Sequence, residues 1–466
     1  MKRVNRYAFL ERVESNARTY AASFRQVFES GSGVRIRDSR GREFIDCLAC
    51  AGALPLGHNH PEVQEAVLRF ISSGHLQQAL DLATPAKFDF VQELFLLLPP
   101  QLREVAKIQF CGPSGSDAIE AAIKLTRFAT GRQPLIAFRG AYHGMTSGAL
   151  AAMGNVMPKQ GIGLSGNAVH FAPYPDRLHC PFGSDGTQTD ELSLGYLRTL
   201  LTDPESGIPK PAAIIVEVVQ GEGGCIPVST AWLRGVRDLT AEHDVPLVVD
   251  EVQTGLGRTG RIFAFEHAGI VPDVLVLSKA FGGGYPLSVV VYHRRLDRWQ
   301  RGMHAGTFRG NQIAMVAGRA TMSIVRRDRL DQHAGRLGEL LSRGLEQIAR
   351  RSPVIADVRG RGLMLGVEVG AGGRGEQLGP ADGELARRIK KAAFDSGLLL
   401  ETGGRFGAVL RFLPPLIVNE TDVGAILDRF EAALAEAMKQ FTPPVRPVAH
   451  LPSLAEVIAQ KRQVGA

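Results

Sequence analysis

Cysteine is scarce in this chain: Cys47, Cys50, Cys111, Cys180 and Cys225 are the only five among 466 residues. The odd number, and the lack of an apolar leader in the mixed-charge opening MKRVNRYAFLERVESNAR, argue against a disulfide framework. Reduced thiols in the cytoplasm are expected instead. Cys47 and Cys50 form a lone C-x-x-C. A zinc site would need a second pair or histidines, so both are expected to be small buried residues and no metal is expected. No apolar run reaches the length of a membrane span. No Lys/Arg block is present either: 54 basic residues stand against 47 acidic ones, a net charge of +7 spread along the chain. That disfavours a nucleic-acid partner. Two nucleotide motifs are also missing. No G-x-G-x-x-G follows the first strand of the large domain, which argues against a nicotinamide dehydrogenase, and no Gly-Lys-Ser/Thr marks a P-loop.

What is present has a clear order. The length suits a large domain plus a smaller one, and the apolar share of 44% is that of an ordinary globular protein. Around Ser39-Arg40-Gly41, short apolar alternation predicts a β-hairpin. Between about 107 and 292, nearly continuous apolar runs recur: KIQFC, PLIAF, AAIIVEVV, VPLVVD, DVLVLS and SVVVY. Helical stretches such as AIEAAIKLTRFA and TAWLRGVRDLTAEH separate several of them. Strands apolar on both faces, alternating with helices, predict an α/β fold with a mainly parallel sheet covered on two sides. After about 325 comes a second pattern: an amphipathic helix at 329–350, then DVRGRGLMLGVEV, where a Gly-rich turn feeds a strand, then ELARRIKKAAFDSG, VLRFLPPLIV and a final helix. The expected divisions are 1–70, an N-terminal segment contributing to the small domain; 71–325, the large domain; 326–440, the C-terminal part of the small domain; and 441–466, a tail. The stretch 370–380 reads as a surface loop.

Three features carry chemistry. Lys279, in V-L-S-K-A-F-G-G-G, ends an apolar strand. Desolvating an ammonium is costly and lowers its pKa, which makes the amine a nucleophile able to form a Schiff base. The glycines at 282–284 would let the backbone turn tightly and approach a ligand. Alone, Lys279 is equally compatible with a snorkelling surface residue. Asp250 ends VPLVVD, at the carboxyl end of a strand, where α/β sheets bind ligands. A capping carboxylate is the alternative. G-P-S-G-S-D-A (112–118) opens a helix with small residues whose free amides suit a phosphate, Gly115 and Ser116 foremost. A capped helix accounts for Ser116 about as well.

Taken together, GPSGSDAIEAAIKL, AYHGM, VEVVQGEGG, VVDEVQTGLGRTG, LSKAFGGGYPL and HAGTFRGN resemble the class III aminotransferases, which are fold-type I enzymes that use pyridoxal phosphate. The resemblance covers about residues 33–430. Stretches such as IDCLACAGALPLGHNHP and VLRFLPPL are most similar to the diaminobutyrate-using subgroup. It implies a large mainly parallel domain and a smaller α/β domain built from both chain ends. It implies roles as well. Lys279 would anchor the cofactor covalently and shuttle the proton. Asp250 would hold the pyridinium nitrogen and Gln253 the ring hydroxyl. Tyr142 would stack on the ring, with His143 beside it. Gly115 and Ser116 would cradle the phosphate. Thr307 would reach the phosphate of a neighbouring subunit's cofactor, so the sites of a homodimer would be shared. Arg411 would grip the α-carboxylate of glutamate or 2-oxoglutarate, and Glu222 would pair with it when the other substrate is bound; a fixed salt bridge is the alternative. Ornithine-type relatives carry an arginine where Met145 stands and a tyrosine where Ala51 aligns, which argues against ornithine as donor. The implied reaction converts L-2,4-diaminobutyrate and 2-oxoglutarate to L-aspartate 4-semialdehyde and L-glutamate, and back, by a ping-pong mechanism. A different ω-amino acid, pyruvate as acceptor, or a non-catalytic protein of this fold are the other readings.

Overall fold

The computed structural model describes residues 6–162, 168–184, 186–370 and 380–439. The tail from 441 and residues 371–379 of the expected Gly-rich loop lie outside them. The central sheet takes the recurrent apolar runs as strands. In chain order these are β4 (Ala106–Phe110), β5 (Leu135–Phe138), β6 (Val169–Ala172), β7 (Ala213–Val216), β10 (Leu247–Asp250), β11 (Val274–Leu277) and β12 (Val289–His293). They lie in the order β4-β12-β11-β10-β7-β5-β6. Every residue of β5, β7, β10 and β11 is buried, which is why these runs are apolar without alternation. β12 runs antiparallel to both of its neighbours, β11 and β4, so the sheet is parallel except for this one strand.

Two smaller sheets flank it. β1 (Phe28–Ser32), β2 (Arg35–Asp38) and β3 (Glu43–Asp46) form the expected N-terminal hairpin and its extension. β15 (Leu398–Leu399), from far along the chain, pairs parallel to β3, so both chain ends share one sheet. Stacked rings of Phe44 and Phe394, 4.9 Å apart, sit behind it. The third sheet is antiparallel, β13 (Ile355–Arg361), β14 (Met364–Val369), β17 (Val409–Phe412) and β16 (Glu401–Gly403), in that order. A short ribbon of β8 (Val219–Gln220) and β9 (Ile226–Pro227) stands apart.

The Gly-rich stretch before β14 is a correction to the sequence reading: it is itself a strand, and only its last residues turn. Gly360, at φ +131°, lets β13 and β14 cross closely, since a Cβ there would lie 2.1 Å from the Met364 carbonyl oxygen. The C-x-x-C needs correcting as well. Cys47 is buried but Cys50 is exposed, on a run of left-handed residues: Ala49, Cys50 and Ala51, at φ +45°, +49° and +57°. Asp46 holds this run, accepting from the amides of Leu48 (2.8 Å) and Ala49 (2.9 Å).

The amphipathic helix expected at 329–350 forms as Leu330–Arg351 and lays its apolar face on β13 and β14. It crosses the hairpin turn at Gly338, where a Cβ would come 2.2 Å from the Gly362 carbonyl oxygen. Gly338→Ala is therefore expected to destabilise the fold by about 1–3 kcal/mol through overpacking. A urea melt with an unchanged midpoint would contradict this close crossing.

Candidate active site

β10 and β11 are adjacent and parallel, and both end at the same edge of the sheet. Asp250 is the last residue of β10, and Lys279 follows β11 after Ser278, opening a tight turn, Lys279–Gly282. Lys279 has φ +46°, a left-handed conformation uncommon for a residue with a side chain. The glycines behind it serve a different purpose from the one expected. Gly283 lies against the helix Gln312–Arg327, where a Cβ would come 2.6 Å from the Ala317 carbonyl oxygen. Gly283 seats the turn on that helix, Gly282 and Gly284 face Leu287 and Leu54, and none of the three lines the cleft.

That cleft, about 660 Å³, is lined by eight of the residues singled out in the sequence: Gly115, Ser116, Tyr142, His143, Glu222, Asp250, Gln253 and Lys279. Arg411 stands directly behind Glu222. Thr307 is not brought there; it is exposed on a separate loop.

Asp250 is buried and fully engaged. Its Oδ2 meets His143 Nδ1 at 2.7 Å, and its Oδ1 accepts from the Val252 amide at 3.0 Å. His143 is buried too, and its Nε2 has no partner among the described residues. Burial alone would lower the pKa of His143. The hydrogen bond and charge of Asp250, with Glu217 behind them, outweigh burial and raise it. Lys279 Nζ makes no hydrogen bond to a described residue; burial lowers its pKa, and the charges of Glu222 and Asp250 only partly offset this.

The small-residue loop closes the other side. Ser114 caps the helix Gly115–Thr130, its Oγ accepting from the Asp117 amide at 3.3 Å. The amides of the first helical turn have no carbonyl partner within the helix and point to the cleft end. Gly115 is required because a Cβ would lie 2.9 Å from Val252 Cγ1. The turn carrying Tyr142 and His143 packs on the same loop, with the Met145 amide donating to Ser116 Oγ at 3.3 Å.

Gln253 donates its Nε2 to the Ala51 carbonyl at 3.0 Å, tying the left-handed run to the cleft. At the rim, Arg411 Nη1 donates to Glu222 Oε1 at 2.6 Å. The Arg411 side chain is 2% exposed against 33% for Glu222, and its Nε is buried with no partner among the described residues.

Sequence reasoning missed Glu217. It is 8% exposed and accepts from the amides of Tyr142 (2.7 Å) and Gly221 (3.1 Å), bracing two segments of the site at once. Burial raises its pKa, with His143 opposing. An acid inside the run AAIIVEVV was the available signal. Tyr20, 41% exposed and not among the cleft-lining residues, stands near the Glu222–Arg411 pair. Burial raises its hydroxyl pKa, and the charges of Glu222 and Arg411 act on it in opposite directions.

A half-buried lysine, a buried carboxylate–imidazole pair and a helix N-terminus around one cleft define a site for an anionic carbonyl cofactor. The profile of the Aminotransferase class-III family matches residues 17–434, and the chain belongs to that family. It is 52% identical over 433 residues to a diaminobutyrate–2-oxoglutarate aminotransferase of Rhizobium meliloti (strain 1021), covering 92% of this chain and 91% of the relative. It is 43% identical to one of Haemophilus influenzae, covering 92% and 96%. Among solved structures, an amine transaminase from an uncultivated Pseudomonas species in its PLP-bound form superposes with a TM-score of 0.81 at 27% identity, covering 91% of this chain and 98% of that one. Ornithine aminotransferase from Toxoplasma gondii superposes with a TM-score of 0.77 at 25% identity, covering 93% and 94%. No helix among the described residues is long and apolar enough to cross a membrane.

The lowered pKa of Lys279 gives a pH prediction. Its neutral, reactive form is present at lower pH than for an ordinary lysine. Capture of pyridoxal phosphate by the cofactor-free protein should therefore quicken as pH rises and level off below 10.5, the ordinary lysine value. Stopped-flow absorbance would check this; a rate still climbing through 10.5 would contradict it.

Proposed function

We propose that this chain is a pyridoxal-phosphate aminotransferase that interconverts L-2,4-diaminobutyrate plus 2-oxoglutarate and L-aspartate 4-semialdehyde plus L-glutamate. The observation that carries the reading is the pair formed by buried Arg411 and half-open Glu222 at the rim of the Lys279 cleft. The two relatives named above carry the same substrate pair in their names.

The residues present fit the cofactor. The orphaned His143 Nε2, the unpaired Lys279 amine and the open amides at Gly115 and Ser116 are groups that a bound phosphorylated aldehyde would satisfy. When bound, pyridoxal phosphate supplies a carbonyl that condenses with amines and a ring that draws electrons from an adjacent carbanion. Lys279 Nζ would anchor it. Asp250, oriented by His143 and the Val252 amide, would hold a proton on the ring nitrogen. Tyr142 would cover one ring face and Gln253 would sit beside the ring hydroxyl. Lys279 Nζ would also serve as the base that takes the proton from the amine-bearing carbon of the substrate.

Arg411 sorts the substrates. A guanidinium with a free Nε presents a fork that matches a carboxylate. With glutamate or 2-oxoglutarate, that fork holds the α-carboxylate and Glu222 moves aside. With diaminobutyrate entering by its terminal amine, no carboxylate reaches the fork and Glu222 neutralises it. Met145 and Ala51, in place of the arginine and tyrosine of ornithine-type relatives, support the shorter donor.

We also propose a homodimer with shared sites, in which Thr307 contacts the phosphate in the neighbouring copy. Its exposure beside Phe308, itself 59% exposed, supports this placement. A cytoplasmic location is supported by the five unpaired cysteines.

Two experiments test the substrate reading. In a donor panel, diaminobutyrate should yield the semialdehyde; no semialdehyde from it, with product from another ω-amine, would refute the assignment. Arg411→Ala should lower kcat/KM for glutamate about tenfold to a hundredfold through loss of charged hydrogen bonds, with far less effect on diaminobutyrate, which brings no carboxylate to the fork. Equal losses for the two donors would place Arg411 outside substrate binding.

A further inference from the structure

The turn that carries Glu222 has little stiffness of its own. It runs Gly221-Glu222-Gly223-Gly224 between β8 and β9, and glycine is the most mobile backbone in the unfolded chain. The Gly224 and Cys225 amides close it on the Gly221 carbonyl, at 3.1 and 3.2 Å, and Glu217 holds the Gly221 amide at 3.1 Å. The rest of its support comes from the C-terminal sheet. The Gly404 amide donates to the Glu222 carbonyl at 2.8 Å. Arg359 Nε, from β13, donates to the Gly224 carbonyl at 2.8 Å.

Arg359 is itself held rigidly. Its Nη1 lies 3.0 Å from Asp357 Oδ2 and 2.7 Å from Glu368 Oε2. The other Glu368 oxygen bonds His179 Nε2. The fit is close: a Cβ on Gly224 would lie 2.9 Å from Arg359 Nη2, and one on Gly366 would lie 3.0 Å from the Gly224 carbonyl oxygen. Arg359 does not line the cleft.

We infer that Arg359 is the positioning residue for Glu222: by pinning the Gly224 carbonyl, it fixes the height at which the Glu222 carboxylate meets Arg411, and so sets how strongly Glu222 competes with a substrate carboxylate. The inference rests on the proposed exchange of partners at Arg411. A planar guanidinium can bond one carbonyl and two carboxylates at fixed angles, and a lysine ammonium cannot reproduce that fork. Arg359→Lys therefore keeps the charge beside Asp357 and Glu368 but releases the turn.

The probe is glutarate, a dicarboxylate with no amine to transfer, titrated into the holoenzyme by calorimetry. Arg359→Lys should bind glutarate about tenfold tighter, because Glu222 no longer holds Arg411 as firmly; tenfold corresponds to about 1.4 kcal/mol. In separate half-reactions, the same variant should raise KM for diaminobutyrate about tenfold and leave kcat with glutamate nearly unchanged. Glu222→Gln should shift glutarate affinity in the same direction, and Arg359→Lys added to it should have no further effect. Glu368→Gln, which loosens Arg359 without removing it, should give a smaller shift of the same sign and serves if Arg359→Lys fails to fold. Unchanged glutarate affinity in Arg359→Lys, equal losses in both half-reactions, or additivity with Glu222→Gln would overturn the inference. A Glu222→Gln variant with unaltered glutarate affinity would instead overturn the exchange reading beneath it, and the inference with it.

Discussion

The hydrogen bond between His143 and Asp250 is the interaction around which the rest of the site is arranged. It is 2.7 Å long, buried at the carboxyl edge of a parallel sheet, and next to a second buried acid, Glu217. Acids withdrawn from water in this way are costly unless each oxygen has a donor. The fold supplies them from backbone amides, Val252 to Asp250 and Tyr142 and Gly221 to Glu217. Each amide belongs to a different segment of the cleft, so satisfying the buried charge also fixes the loops. Lys279, on the neighbouring strand end, is then left as a half-buried amine in a mostly anionic setting. Its pKa is lowered by burial and yet its charge is not strongly opposed, which suits the nucleophile and base proposed for Lys279.

A second constraint comes from the meeting of the two halves of the chain. Glu222 sits on a glycine turn of the central region, and Arg411 on β17 of the C-terminal sheet, 189 positions later. Their contact, the Gly404 amide and the Arg359 guanidinium together bind that turn to the C-terminal sheet. The proposed substrate sorting at Arg411 and the docking of the C-terminal sheet are thus one structural problem. This explains why Arg411 is among the largest fully buried side chains while its partner Glu222 stays partly open.

Much of this was legible in the residues. The apolar runs became strands where expected, because burial on both faces leaves no other composition open to them. Asp250 and Lys279 stood out because a charged residue at the end of such a run needs a reason. The loop that opens the helix at Gly115 on the cleft was visible in its small residues. Other features were not. β12 has the same apolar pattern whichever way it runs, so its antiparallel direction had no sequence signal. Gly283 was read as making room for a ligand, whereas it makes room for the Ala317 carbonyl. Cys50 was expected inside, and the left-handed run at Ala49–Ala51 turns it out. The Glu222–Arg411 pair could be named only through family resemblance, since nothing local joins residues so far apart. Thr307 is exposed on a loop apart from the cleft, and only the proposed homodimer would bring it to a site.

The central claim is that Lys279 is the covalent anchor of the cofactor. Borohydride reduction of the pyridoxal-phosphate-loaded protein, followed by proteolysis and mass mapping, tests it most directly. A single pyridoxyl-modified lysine, Lys279, is expected, in the peptide spanning V-L-S-K-A-F. A modification at another lysine, with Lys279 unlabelled, would contradict it.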